Sequence, residues 1–328
     1  MIANNPRLAN FLEHYGILVI VIVMMVMLYV SRPDVFLSLA NLTNIVKQNA
    51  TLALLALGMF VVIVTAGIDL SVGSVMALGM MCLAVAAKAG VPWPIVILIG
   101  PVVGIACGLV NGLGLTVLRL PHPFIMTLGT LNIARGLSSL ITNGAPVSGL
   151  GPQVRYLGQA NYDFGIFPPP TGLPASLFVV AICAIGLWFF LNRTSLGRHI
   201  FAIGGNPQAA RVSGVNVDRV LVYVYALSGF FAGLAGLLLA GRTDSGFPLA
   251  GQNAELDAIA AVIIGGASFF GGRGTILGVL AGVIIMGLMR NGLNLNNISP
   301  FWQQILIGVV IIAAVYIDVI RRRAAVRT

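Results

Sequence analysis

Long apolar runs, separated by short polar or glycine-rich breaks, recur along the whole 328-residue chain. Nine are clear, at approximately 15–30, 50–66, 71–87, 94–118, 124–142, 174–191, 219–241, 275–291 and 301–318. A bilayer core takes about 20 apolar residues per helix, so each run predicts a membrane-spanning helix. A weaker tenth lies at 254–270, through Ala-Ile-Ala-Ala-Val-Ile-Ile-Gly-Gly-Ala. It opens with Glu255 and Asp257, which suit the positive end of a helix, and Asn253 stands as a candidate cap. The first run, Tyr15 to Val30, has no small-x-small cleavage site after it and continues Ser31-Arg32-Pro33-Asp34. It reads as a retained membrane helix.

Composition agrees with the pattern. The chain is 58% hydrophobic and 8% charged, with a mean hydropathy of +1.00, against about 25% charged residues in a soluble domain. A water-soluble fold is excluded. The 40 glycines then point to close helix packing rather than to loops. Cys82, Cys107 and Cys183 all sit inside apolar runs, without metal-ligand spacing, and read as small core hydrophobes.

The net charge of +9 reads as a topology signal. Apart from Arg321, Arg322, Arg323 and Arg327, the basic residues are dispersed, which argues against nucleic-acid binding. With the basic tail on the cytoplasmic side, ten crossings put the N-terminus there too. Arg7, Arg119, Arg193, Arg198, Arg211, Arg219 and Arg273 then lie inside with the tail; Arg32, Lys47, Lys88, Arg155, Arg242 and Arg290 lie at the outer edge. Nine crossings would put Arg193, Arg198, Arg211 and Arg219 outside. The expectation is an all-α polytopic membrane protein of about ten transmembrane helices, both termini cytoplasmic, built as one membrane domain over 1–328. Residues 143–173, with Pro168-Pro169-Pro170, form an external loop, and 192–218 the largest cytoplasmic segment.

Several features carry candidate function. Gly100, Gly104, Gly108 and Gly112 stand four apart, as do Gly274, Gly278 and Gly282, and Gly229 and Gly233. Each ladder lines one helix face, for packing or as a sliding seam. Gly67-Ile-Asp-Leu-Ser-Val-Gly73 and Gly272-Arg-Gly-Thr-Ile-Leu-Gly278 both join two membrane helices, as a parallel duplication would. In the first turn, Asp69 or Ser71 can cap the following helix, or can offer polar groups to a hydroxylated solute. Arg135 lies deep in a membrane run, in a polar stripe with Asn132 and Ser139. A charge there faces protein or water: it satisfies carbonyls or lines a pathway.

The most distinctive stretch is Gly204-Gly-Asn-Pro-Gln-Ala-Ala-Arg-Val-Ser-Gly-Val-Asn-Val217. Asn206 can cap, Pro207 suits the first helical position, Gln208 to Ser213 form a short helix, and Gly214 suits the C-terminal cap. So short a helix between two membrane spans has the form of an element that docks into a groove of another protein. Glycine-rich phosphate loops and His-Glu-x-x-His are absent, and His14, His122 and His199 are scattered. Paired intramembrane carboxylates of a proton-driven carrier are missing.

Three stretches resemble a known family: Gly67-Ile-Asp-Leu-Ser-Val-Gly73, Gly205-Asn-Pro-Gln-Ala-Ala-Arg-Val-Ser-Gly-Val215 and Ala261-Val-Ile-Ile-Gly-Gly-Ala-Ser-Phe-Phe-Gly-Gly-Arg-Gly-Thr275. They are similar, in order, to the permease subunits of ribose-type ABC importers. The resemblance implies a type II importer permease in the bacterial inner membrane. It also implies a second permease copy, identical or paralogous, an ATP-binding subunit that holds the ATP and Mg, and a periplasmic sugar-binding protein. The chain itself would hold no cofactor and hydrolyse nothing. The family's coupling helix falls on 206–214, which gives Asn206, Pro207, Ala209, Ala210, Arg211, Ser213 and Gly214 the contact with the ATPase. Asp69, Ser71, Asn111, Asn132 and Arg135 are the candidates for a polar pathway lining. The cargo expected is a monosaccharide; polyols, a furanose signalling sugar, nucleosides and branched-chain amino acids remain as alternatives.

Overall fold

The computed structural model describes residues 6–165 and 172–326; Pro168–Pro170 and Arg327 of the expectations above lie outside them. In chain order the elements are α1 (Pro6–Ser31), α2 (Pro33–Phe36), α3 (Leu39–Val64), α4 (Val72–Lys88), α5 (Trp93–Val117) and α6 (Pro123–Leu140). There follow β1 (Val147–Ser148), α7 (Pro152–Gln159), β2 (Asn161–Tyr162), β3 (Leu173–Pro174), α8 (Ala175–Arg193), α9 (Ser195–Gly205) and α10 (Pro207–Val212). The chain closes with α11 (Val217–Thr243), β4 (Ser245–Gly246), α12 (Ala254–Ile264), α13 (Ile276–Leu295) and α14 (Pro300–Val326).

Each of the ten apolar runs holds a helix. Among the described residues, α3, α5, α8, α11 and α13 are long and apolar enough to cross a membrane by length and composition, and 18–31, 72–88 and 300–316 are shorter apolar helical stretches. The fold is a polytopic membrane bundle. Its centre is the second half of α3, with α4, α11 and α12, where side chains such as Phe60, Met76, Met80 and Tyr225 are fully enclosed. Its outside is apolar as well: Leu98, Val102, Ile133, Ile182, Ile185 and Phe189 are all more than half exposed. In water such a belt would be a defect; against lipid it is the ordinary surface.

The glycine ladders hold α5 against α11. A Cβ added to Gly104 would overlap the Gly229 carbonyl, one on Gly229 the Gly104 carbonyl, and one on Gly233 the Gly100 carbonyl. Further along, Gly108 faces the backbone of Tyr225 and Ala226, and Gly112 that of Val222. The two backbones therefore touch over several turns, gaining dispersion contact that no larger side chain would permit. Gly278 and Gly282 of α13 do the same against Gly265 and Ala261, while Gly274 lies outside α13, in the turn before it.

The tenth run differs from expectation. Helix α12 has 11 residues, about 16 Å of rise, roughly half a bilayer core. It stops at the C-cap Gly265. Residues 244–253, which lead into it, are not helical: Gly246 packs on Met80 and Ala84 of α4, and Gly251 on Gly73 and Met76. The chain thus descends beside α4 through the two-residue strand β4 and a run of turns over 248–253, and continues as a half-helix. Asn253 occupies the N-cap position at φ 63° but its side chain accepts no capping hydrogen bond. Two polar stretches hold more structure than the sequence indicates: α7 lies within 143–173, and α9 precedes α10 within 192–218.

Candidate functional site

Two turns and the end of α9 meet at one end of the bundle. The N–H of Gly272 donates to the Val64 carbonyl at 2.8 Å. Gly204 is wedged against the same Val64 carbonyl and the Gly272 amide, closely enough that a Cβ would overlap both. The 65–71 and 265–275 turns therefore lie side by side. The described α14 reaches the same place, where Asp318 accepts from the Ser268 hydroxyl at 3.1 Å and the Phe269 N–H at 3.0 Å. The sequence reading did not single out Asp318; an acid near the end of the last apolar run was the available signal.

Helix α10 projects from this junction, and its ends are closed by local chemistry. The Asn206 side-chain oxygen accepts from the N–H groups of Gln208 and Ala209, each at 3.0 Å, and Pro207 stands where no N–H is needed. At the other end Val215 N–H donates to Ala210 O, Gly214 N–H to Arg211 O, and Gly214 takes φ 86°, a Schellman closure. Ala210 is buried; Asn206, Pro207, Ala209, Arg211, Ser213 and Gly214 are exposed, and Val212 is 90% exposed. Arg211 is paired with Asp218 of α11 at 2.9 Å. The result is a small rigid knob, apolar at its tip, fixed through Gly204 to both turns.

Directly behind the 65–71 turn lies a buried polar knot. Asp69 accepts from the Ser71 N–H (3.0 Å), the Ser71 hydroxyl (2.6 Å) and the Ser228 hydroxyl of α11 (2.8 Å). Asn111 of α5 donates its side-chain N–H to the Ser71 oxygen at 2.9 Å. Asp69, Ser71, Asn111 and Ser228 are each 1% exposed. The knot ties the turn to both helices of the glycine seam. Ser71 stands at the N-cap position of α4 without a side-chain capping bond; its hydroxyl serves Asp69 instead. Ser228 gave no separate signal in the sequence, because its role depends on α11 crossing behind the turn.

Asn132 and Arg135 lie elsewhere. Arg135 donates to the carbonyls of Pro248 at 2.8 Å and Ala250 at 2.7 Å, and the Ser138 hydroxyl adds a bond to Pro248 O at 3.1 Å. These are carbonyls of the turns before α12, which have no helical partner; at membrane depth each would be costly to leave unmet. Asn132 is exposed and donates back to Leu128 O at 3.0 Å. Of the five pathway candidates, three meet in the knot, Arg135 braces the descent, and Asn132 stands apart.

Crossing helices, a broken half-helix inside the bundle and a capped knob at one end are the features of a polytopic membrane bundle. A family model described as "Branched-chain amino acid transport system / permease component" matches residues 41–315. The chain is 41% identical over 312 residues to the ribose import permease protein of Bacillus subtilis, covering 94% of this chain and 92% of that one. It is 39% identical over 330 residues to the galactose/methyl galactoside import permease protein of Escherichia coli, with 96% of each covered. To the ribose import permease protein of Haemophilus influenzae it is 36% identical over 320 residues, again with 96% of each covered. The chain belongs to this family of transport-system permease components, as the three motifs indicated. No solved structure matches it.

Proposed function

We propose that this chain is the membrane subunit of an ATP-driven importer that carries a monosaccharide across the bacterial inner membrane. The observation that carries the reading is α10: a six-residue helix, closed at both ends, exposed along its tip and wedged through Gly204 onto two membrane turns. A knob of that form transmits a push. The push comes from an ATP-binding subunit that carries the ATP and Mg, and Asn206 to Gly214 form the contact. The chain itself is a transporter subunit, not an enzyme.

Ten crossings place α10 and both termini in the cytoplasm and residues 143–173 outside, where a periplasmic sugar-binding protein delivers its load. A second permease copy completes the pathway, and lipid covers the apolar belt. The motion reaches the bundle through Val64 and Gly272, and from the 65–71 turn through Asp69 to α11. Relatives named for ribose and galactose, aligned along nearly the whole chain, favour a sugar; the description of the family model keeps branched-chain amino acids as the second reading. Co-reconstitution in vesicles with an ATP-binding subunit and a sugar-binding protein tests both. ATP-dependent uptake of ribose or galactose is expected. Uptake by the chain alone under an ion gradient would contradict the reading, and uptake of leucine but no sugar would replace the cargo.

A further inference from the structure

At the end of the bundle away from α10, the first half of α3 and the last turns of α11 and α13 enclose a cavity of about 130 Å³. Its walls carry Gln48, Asn49, Arg242, Arg290 and Asn291, with Gly287 leaving room for the Asn49 side chain. Arg290 is ion-paired with Asp257 of α12 through one nitrogen. Among the described residues, no hydrogen bond or ion pair engages the Arg242 guanidinium, although that residue is partly buried. Lys47 adds a third positive charge close by: it donates to the Gln159 carbonyl at 2.7 Å, and the Gln159 amide donates to the Arg242 carbonyl at 3.0 Å. The nearby Asp244 faces Arg155 at 3.9 Å.

Two arginines in one small cavity repel each other, and Asp257 compensates one charge. The negative end of α11 eases Arg242 but does not replace a counter-ion. Among the described residues, no carboxylate lines the cavity itself. A guanidinium presents five donors in a fixed fork that matches tetrahedral and planar oxyanions, and Gln48 adds a neutral amide N–H donor. We propose that this cavity is an oxyanion site that takes a phosphate group, either free or as the headgroup of an anionic lipid. The inference stands apart from the transport reading and holds whether or not the cargo is a sugar.

The test is the thermal unfolding midpoint of the full-length chain in a neutral detergent. Inorganic phosphate is titrated at constant ionic strength, and, in parallel, phosphatidylglycerol is added against phosphatidylcholine. A saturable rise of about 2–4 °C is expected, lost in Arg242→Gln and reached only at about tenfold higher ligand in Gln48→Leu. A rise with inorganic phosphate identifies a free anion, and a rise with phosphatidylglycerol alone identifies a headgroup. Equal responses from wild type and variants, or no response to either probe, would show a water-filled cavity and overturn the proposal. Should Arg242→Gln fail to fold, the surface-accessible Gln48→Leu carries the same comparison.

Discussion

Arg135 of α6 and Ala250, in the turns that lead into α12, are joined by a side-chain to backbone hydrogen bond of 2.7 Å. That bond explains how non-helical backbone survives inside a membrane bundle. A helix satisfies its own carbonyls; in the turns before α12 those of Phe247 and Gly251 accept from nearby backbone N–H groups, and those of Pro248 and Ala250 accept from Arg135 and Ser138. Arg135→Met should therefore lower stability by roughly 3–6 kcal/mol, two charge-assisted bonds at about 1.5–3 kcal/mol each. Arg135→Lys should recover part of it, since an ammonium also donates but lacks the fork. Thermal unfolding of the purified protein reads both, and wild-type stability in Arg135→Met would show that the descent is held by other means.

The α5–α11 seam makes a second prediction. Gly104→Ala should cost about 1–3 kcal/mol, because the added methyl meets the Gly229 backbone rather than a movable side chain. Gly186→Ala on α8, where a Cβ meets nothing within 4 Å, should be neutral or stabilising by up to about 1 kcal/mol. If the two substitutions have the same effect on the unfolding midpoint, the seam is not close-packed.

Asp69 allows a sharper comparison. Asp69→Ala leaves three buried donors without an acceptor, at about 1–3 kcal/mol each, and should abolish stable expression. Asp69→Asn keeps one oxygen for Ser71, and the Ser228 hydroxyl can rotate to accept from the new amide. That variant should fold, which detergent-resistant monodispersity measures, while Ser228→Ala should fall between the two.

Adjacent glycines separate the junction from its surroundings. Gly204→Ala should displace α10, because its Cβ would overlap the Val64 carbonyl; Gly205→Ala should be silent, since nothing lies within 4 Å of its Cβ. In the reconstituted importer, Gly204→Ala should keep ATP hydrolysis while losing uptake, and Gly205→Ala should keep both. Equal loss in both would place the coupling path elsewhere.

What the sequence made legible is what depends on near neighbours. The apolar runs located ten helices, and Asn206, Pro207 and Gly214 located α10 to within a residue, because caps are local chemistry. The half-helix was not legible: apolar residues 254–264 read alike in a full span or a broken one, and only the packing of Gly246 and Gly251 on α4 shows the non-helical descent. Asn253 looked like a cap but holds a left-handed conformation at the end of that descent. The partner of Asp69 lay 159 residues away on α11, and the wedge of Gly204 between two turns depends on three segments meeting, which no spacing reveals.

The decisive observation concerns the tip of α10. In a variant with Cys82, Cys107 and Cys183 replaced and Val212→Cys introduced, a membrane-impermeant maleimide should label inverted vesicles and leave right-side-out vesicles unmodified. Adding the ATP-binding subunit should then protect the thiol. Labelling from the outer face, or labelling indifferent to that subunit, would mean that α10 is not the surface through which ATP drives this permease.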